Sequence, residues 1–215
     1  MASVPTGTTF YVASALGTVK TVTGISNAAE AVVTAPSHGY SAGDTVLLNS
    51  GWGRINQRAF RVKSPTTDTF VLEGQDTTVV GFYPTGSGGG TVQKATTFTQ
   101  ITQVVGVSGS GGDPKNVTYK YMENDVEGSI NDGFSATSST LEMDADSIST
   151  PGYAAVKSLT ETQTVTIIKT LMRSGAQVLR AGTVALNEDP VLTDGQIAKV
   201  KLSINGTGRV TRYAS

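Results

Sequence analysis

The feature that most constrains this chain is a strict alternation of apolar and polar residues within residues 196–213. One set of positions is apolar: Ala198, Val200, Leu202 and Ile204. The positions between them are polar: Lys199, Lys201, Ser203 and Asn205. Because successive side chains leave a strand on opposite faces, this period of two predicts a half-buried β-strand. We expect the apolar face to pack inside the protein.

The composition favours an all-β protein. Charged residues make up only 15% of the chain, whereas Gly, Ser, Thr and Val are abundant. Such a composition is typical of sheets with polar hydroxyl faces. A surface with so little charge also fits a protein that covers much of itself with partners.

Charge and cysteine content exclude several classes of function. The 215 residues carry a net charge of −1, which does not indicate tight binding to nucleic acid or to an anionic membrane. No apolar run approaches about 18 residues, so we expect no membrane insertion. Residues 1–10 lack the basic and apolar regions of a secretory signal. Cysteine is absent, which excludes disulfides and thiolate metal sites and agrees with folding in a reducing cytoplasm.

Runs of β-branched and apolar residues between turn signals predict further strands. In chain order they cover residues 10–16, 19–25, 31–34, 45–48, 59–63, 69–73, 91–93, 98–107, 116–122, 139–143, 164–172 and 176–186. We interpret residues 108–114 as a loop, the rest of 123–149 as an irregular acidic segment, and 187–190 as the end of the strand before it. One helix is predicted over residues 151–159, because Thr150 is a good N-cap and Pro151 suits the first helical position.

Residues 28–93 differ from the rest of the chain in their sequence pattern, which predicts short strands separated by turns. Their most specific segment has the pattern H-G-x-S-x-G-D-x-V, from His38 to Val46. This segment and the strands after it resemble a small β-barrel module that is inserted in phage virion proteins. The module is similar to the first-catalytic-cysteine-half-type fold of ubiquitin-activating enzymes. The resemblance implies a fold and not an enzyme, and it predicts three parts: core residues 1–27, inserted module 28–93, and core residues 94–215.

No residue pattern indicates a catalytic, cofactor-binding or metal site. His38 is the only histidine, and no G-x-S-x-G elbow accompanies it, so we expect it to bond to backbone or to pack against an aromatic ring. Glu142, Asp144 and Asp146 alternate as in a calcium loop, but Ser147 stands where glycine is required. Two interpretations of this acidic segment remain: a site that binds a divalent cation loosely, and a solvated loop without a ligand.

Trp52 lies in a glycine-flanked loop of the predicted module. An exposed aromatic face can bind a carbohydrate by stacking, whereas a buried one contributes to a core. We favour the core, and we keep a glycan-binding tail fibre or baseplate component as the alternative function.

Without residues 28–93, the order of elements resembles the tail tube proteins of long-tailed, non-contractile bacteriophages. The matching stretches are residues 98–107, the polar region 123–138, the helix TPGYAAVKSL and the closing VKLSINGTGRVTRY. The resemblance implies a β-sandwich or partial barrel with one flanking helix and no enzymatic activity. It also implies hexameric rings that stack through long loops into a tube for DNA, with the inserted module outside. The implied partners are the chain itself, the tape measure and tail terminator proteins, and DNA in passage. The implied location is the virion tail, with assembly in the host cytoplasm.

A conduit for DNA requires a lumen that does not retain phosphate. Between Tyr121 and Val156 the chain has seven carboxylates and neither Lys nor Arg, so this segment is suited to supply acidic charge. Lys199 and Lys201 oppose this interpretation. They lie on the polar face of the closing strand, and we expect them to meet solvent, acidic groups or DNA.

Overall fold

The computed structural model describes residues 6–214. Residues 1–5 and residue 215 lie outside the described residues. The predicted lack of a secretory signal partly concerns residues 1–5. The strands, in chain order, are β1 Thr9–Leu16, β2 Lys20–Val22, β3 Gly24–Ile25, β4 Val32–Thr34, β5 Thr45–Ser50, β6 Arg58–Lys63, β7 Thr69–Leu72, β8 Gly90–Ile101, β9 Val104–Ser110, β10 Pro114–Tyr119, β11 Gly128–Phe134, β12 Ser138–Asp144, β13 Thr166–Leu171, β14 Gln177–Val191, β15 Lys199–Gly206 and β16 Thr211–Tyr213. A 3-10 turn, Ala145–Ser149, precedes the helix α1, Pro151–Thr162.

Fourteen strands form one curled antiparallel sheet, a half-barrel, and the predicted all-β class with one short helix is confirmed. The order across the sheet is β3-β4-β7-β6-β5-β8-β1-β13-β14-β15-β12-β9, with β2 beside β8 and β16 beside β14. The remaining two strands, β10 and β11, pair only with each other.

The closing strand has the predicted arrangement of faces. In β15 the side chains of Val200, Leu202 and Ile204 are buried, whereas Lys201 is exposed. β15 lies between β12 and β14 and is antiparallel to both. Its apolar face therefore packs into the core that the sheet shares with α1. The second half of the predicted stretch forms a separate strand, β16, which pairs with β14 instead.

The helix begins where the sequence predicts it. Thr150 Oγ1 accepts a hydrogen bond from the Tyr153 N–H at 3.3 Å, and Pro151 occupies the first turn. The helix buries Tyr153 and Val156 against the sheet and extends beyond the predicted end to Thr162. At Gly152, a Cβ atom would lie 2.3 Å from the carbonyl oxygen of Gln100, so only glycine allows this close approach of helix and strand.

The region that contains the H-G-x-S-x-G-D-x-V pattern has an apolar cluster of its own, built from residues between Val22 and Val92. Asp44 Oδ2 accepts from the Ser41 N–H at 2.7 Å and pairs with Lys94 Nζ at 2.7 Å, while Gly39 and Gly43 adopt positive φ. The pattern therefore specifies a tight turn at the edge of this cluster. The predicted boundary after residue 93 falls inside β8, which runs unbroken from Gly90 to Ile101. The division into core and inserted module stays a prediction.

Four predictions of local structure were wrong. Residues 19–25 form two strands, since β2 pairs with β8 and β3 pairs with β4. Residues 98–107 are not one strand, because the chain turns at Thr102 and Gln103, where Gln103 adopts φ +57°, and residues 108–110 extend β9. The segment 123–149 is not irregular, since it contains β11, β12 and the 3-10 turn. Residues 187–190 do not end their strand: β14 continues to Val191 through an irregularity in its register, which accommodates Pro190.

Candidate assembly surfaces

His38 is buried and has a structural role, as its turn position predicts. Its Nδ1 accepts the Tyr40 N–H at 2.9 Å, and its Nε2 lies 3.2 Å from the carbonyl oxygen of Thr69. The ring packs at 4.8 Å from Tyr40 and 5.2 Å from Phe70, measured between centroids. With Nδ1 as acceptor, the proton resides on Nε2 and bonds to Thr69. Both ring nitrogens are thus engaged in holding the turn.

Trp52 belongs to the core, with only 1% of its surface exposed. Its Nε1–H donates to the Pro84 carbonyl at 2.8 Å, and its ring packs edge-on against Tyr83 at 5.2 Å. The half-exposed Phe82 is covered on one face by the Arg54 guanidinium, 3.3 Å from the ring centroid. Trp52 therefore presents no flat face for stacking on a sugar, and no observation favours the glycan-binding alternative.

The acidic residues near the C-terminal end of segment 121–156 lie in regular secondary structure. Glu142 lies in β12 and accepts a hydrogen bond from Lys199 Nζ at 3.2 Å, and Asp144 caps the following 3-10 turn. Across residues 6–214, no group of three or more His, Cys, Asp or Glu side chains is arranged to hold a metal ion. The same described region has no helix with the length and hydropathy of a membrane span.

The polar face of β15 is balanced in charge. Lys201 lies directly opposite Glu142 of β12, and Lys199 lies directly opposite Asp144. The pairs are cross-strand neighbours, which contribute to stability when their charges are opposite. Lys199 thus bonds to an acidic group of the same subunit, whereas the exposed Lys201 faces Glu142 across the strands without a salt bridge within the described residues.

A second ion cluster joins α1 to β14. Lys157 Nζ donates to Glu188 at 2.8 Å, and the Tyr153 hydroxyl donates to the same carboxylate at 3.1 Å. The hydrogen bond from Lys157 lowers the pKa of Glu188, and the same bond raises the pKa of Lys157. The far end of β14, where the sequence predicted that the strand ends, therefore has a role in anchoring the helix.

The separate hairpin, defined here as residues 114–134, is the most exposed part of the described chain. Every residue of β10 is exposed, and the hairpin presents a large apolar surface to solvent. Its exposed apolar residues are Val117, Tyr119, Tyr121, Met122, Val126, Ile130 and Phe134. A two-stranded hairpin is marginally stable in water by itself, and contiguous exposed apolar surface marks an interaction site. Sequence reasoning missed β11, because a strand exposed on both faces has no alternation to detect.

The second exposed feature is the edge strand β9, which pairs with β12 along one side only. Val105 and Val107 of this strand are exposed. Beside them opens a groove of about 1030 Å³, with apolar walls that include Phe10, Ile168 and Val178. An unpaired edge with exposed valines is a template for a strand of another chain.

Comparison with known proteins places these surfaces in context. The sequence model of the family described as phage tail tube protein matches residues 50–215, most of the chain. The chain belongs to the phage tail tube protein family. It is a structural component of the phage tail, and the predicted role as a tail tube protein is confirmed. No curated protein matches the sequence.

Solved structures are similar to this tail tube protein at low sequence identity. A chain in the virion of a native gene transfer agent particle has a TM-score of 0.42 and 13% identity, with 54% of this chain and 89% of that chain covered. A chain from the tail of an empty gene transfer agent particle has a TM-score of 0.44 and 12% identity, covering 54% and 87%. A chain of the anti-feeding prophage tube terminating cap has a TM-score of 0.37 and 16% identity, covering 54% and 83%.

Proposed function

We propose that copies of this chain close into hexameric rings, and that the rings stack into the tail tube of a long-tailed, non-contractile phage. DNA passes through this tube into the host. The observation that carries the proposal is the separate hairpin, which leaves most of its apolar side chains exposed to solvent. In an assembled tube these side chains are covered by neighbouring copies. The lack of enzymatic activity stays a prediction.

The hairpin is suited to contacts between rings. Met122 is fully exposed at its tip, and Val126 has 78% of its surface exposed. Burying such side chains against another copy contributes about 25 cal/mol for each Å² of apolar surface removed from water. Stacking is therefore the step that we assign to the hairpin.

The β9 edge is suited to contacts within a ring. Its free side offers backbone groups to a strand of the next copy, and closure into a ring removes exposed edges. The polar face of β12 and β15 is then assigned to the lumen. Its two lysines are matched by Glu142 and Asp144, so it has no excess positive charge to retain DNA.

The location of residues 28–93, the partner proteins and the place of assembly are proposed from the resemblance to tail tube proteins of long-tailed phages. Residues 28–93 form an inserted small β-barrel on the outside of the tube, which the separate apolar cluster supports. Tape measure and tail terminator proteins contact the completed rings, and assembly takes place in the host cytoplasm.

Electron microscopy of the purified full-length protein and of phage tail fractions tests the function. We expect tubes, and we expect the variant Met122→Ser/Val126→Ser to remain folded without forming them. A control variant, Val79→Ser/Val80→Ser, removes two half-exposed valines from residues 28–93 and should assemble normally. Monomers alone at high protein concentration, together with absence from tail fractions, would contradict the proposal.

A further inference from the structure

A cleft of about 720 Å³ opens where four segments meet beside Arg180 of β14. Its walls are the turn at residues 53–56, the root of the separate hairpin at residues 109–112 and 134–138, and the turn at residues 206–210. The cleft thus lies between the region of residues 28–93 and the tail tube core. We name it the arginine cleft, because Arg54, Arg180 and Arg209 all line it.

The arginine cleft has an unbalanced charge. No Asp or Glu side chain lines it, and within residues 6–214 none of its three arginines forms a salt bridge. Arg209 instead stacks on Phe134 at 4.5 Å from the ring centroid, and Arg54 stacks on Phe82. Stacking leaves the N–H groups at the rims of both guanidinium planes available to an acceptor.

Two buried polar atoms of the same walls lack hydrogen-bond partners: Nε of Arg180 and Oγ1 of Thr137. Arg180 Nη1 donates to Ser139 Oγ, so the Arg180 side chain is held in place while its Nε–H has no acceptor. Buried donors without partners are rare in folded proteins because each costs free energy. A guanidinium N–H is matched best by an anionic acceptor, which no residue lining the cleft provides.

We propose that the arginine cleft binds the acidic tip of the separate hairpin of a second copy of this chain. The tip carries Glu123, Asp125 and Glu127, all exposed, together with the exposed Met122. Each hairpin strand is six or seven residues long, so a subunit's own tip lies about 20 Å from the root that lines its own cleft. The occupant must come from a neighbour, and carboxylates with arginines form strong, directional pairs.

The contact is heterologous, since tip and cleft are different surfaces of one chain, and heterologous contacts repeat into rings or filaments. The inference rests on the proposed tube and adds the receiving site for the hairpin. It also assigns complementary charge to the contact, which sets register and suppresses wrong partners.

The first test measures binding without assembly. Labelled full-length protein with Arg54→Glu/Arg209→Glu supplies only the hairpin, and full-length protein with Glu123→Gln/Asp125→Asn/Glu127→Gln supplies only the cleft. The second protein is titrated into the first, and fluorescence anisotropy reports binding. We expect saturable binding, which weakens about tenfold or more when both partners carry the hairpin substitutions or both carry the cleft substitutions. Adding Arg173→Glu/Arg212→Glu to the cleft partner reverses two exposed arginines outside the cleft and should leave binding unchanged. A DNA oligonucleotide that binds the cleft partner where the hairpin partner does not would overturn the inference in favour of phosphate.

The second test uses charge reversal during assembly. Chains with Arg54→Glu/Arg209→Glu and chains with Glu123→Arg/Glu127→Arg should each fail to form tubes alone, yet form them when mixed in equal amounts. Tubes from either variant alone, or none from the mixture, would overturn the assigned contact. Wild-type tubes without binding between the hairpin partner and the cleft partner would refute the cleft alone, whereas such binding together with a wild type that never forms tubes would refute the proposed function alone.

Discussion

The hydroxyl of Tyr213 accepts a hydrogen bond from the backbone N–H of Arg61 at 2.8 Å, and the Arg61 guanidinium lies 4.5 Å from the centroid of the same ring. Tyr213 belongs to β16, which pairs with β14 of the core, whereas Arg61 belongs to β6. Burial raises the pKa of the Tyr213 phenol, because it disfavours the charged form. A directed contact therefore joins β16 to β6, which lie in distant parts of the sequence.

Tyr213→Phe removes this hydrogen bond and leaves the Arg61 N–H without that acceptor. We expect the free energy of unfolding to fall by about 1–2 kcal/mol, measured by urea denaturation. Tyr11→Phe is the matched control, because Tyr11 is partly exposed, and it should change stability by less than about 0.5 kcal/mol. Equal stability of Tyr213→Phe and the wild type would show that water replaces the bond.

Leu202→Asp places a carboxylate in a position with no solvent exposure, at the centre of β15. Burying an unpaired charge costs more than a typical domain can lose, so we expect no soluble folded protein. Lys199→Glu, on the opposite face, replaces only the partly exposed pair with Glu142 and should leave the fold intact. Circular dichroism and gel filtration distinguish the two outcomes, and soluble, folded Leu202→Asp would refute the assignment of faces.

The ion pair between Arg61 and Glu73 predicts a dependence of stability on pH. Hydrogen bonding from Arg61 lowers the pKa of Glu73 in the folded state. The pair therefore stabilises the fold above the unfolded pKa of about 4.3, and this contribution is lost as the pH falls through the lower folded value. Because the pair is partly solvated, we expect about 1 kcal/mol or less.

Glu73→Gln should consequently lose less stability than the wild type between about pH 5 and pH 3 in urea titrations. Glu127→Gln, at the exposed hairpin turn, is the control and should follow the wild-type curve. If the free energy of unfolding of Glu73→Gln and of the wild type falls in parallel with pH, the pair of Arg61 and Glu73 does not contribute to the acid dependence of stability.

Val107→Lys tests the edge strand β9. Charged residues on an exposed edge oppose pairing with another chain, so we expect tubes to disappear from electron micrographs. The stability of the subunit should change by less than about 0.5 kcal/mol, because Val107 is more than half exposed. Val19→Lys alters an equally exposed valine outside β9 and should leave assembly unaffected. Normal tubes from Val107→Lys would exclude β9 from the contact within rings.

Elements with one buried face could be predicted from the sequence, because burial imposes a period on side chains. This holds for β15 with Val200 and Leu202, and for α1, whose cap at Thr150 is a local signal. β11 has exposed residues on both faces, so neither polarity nor period marks it. The turn at Gln103 depends on a positive φ that glutamine rarely adopts, and no local signal predicts it.

The candidate surfaces were harder to predict than the fold. The arginine cleft joins side chains from positions 54, 180 and 209, which lie on separate segments, so its existence depends on tertiary structure. The charge balance between Lys201 and Glu142 likewise depends on strand register. By contrast, the role of His38 was predictable, since its turn chemistry is local.

β8 has a consequence for how such tail proteins diversify. Its side chain at Val92 belongs to the apolar cluster of residues 22–92, and its side chain at Ile101 belongs to the cluster beneath α1. The alternation between these two anchors is not strict, because the pairing of β8 with β1 shifts register twice between Ala13 and Leu16. Such irregularities absorb a single extra residue by bending the strand. A change of one residue in the spacing between Val92 and Ile101 can therefore be absorbed at these points, whereas in an unbroken strand it would turn every later side chain to the opposite face.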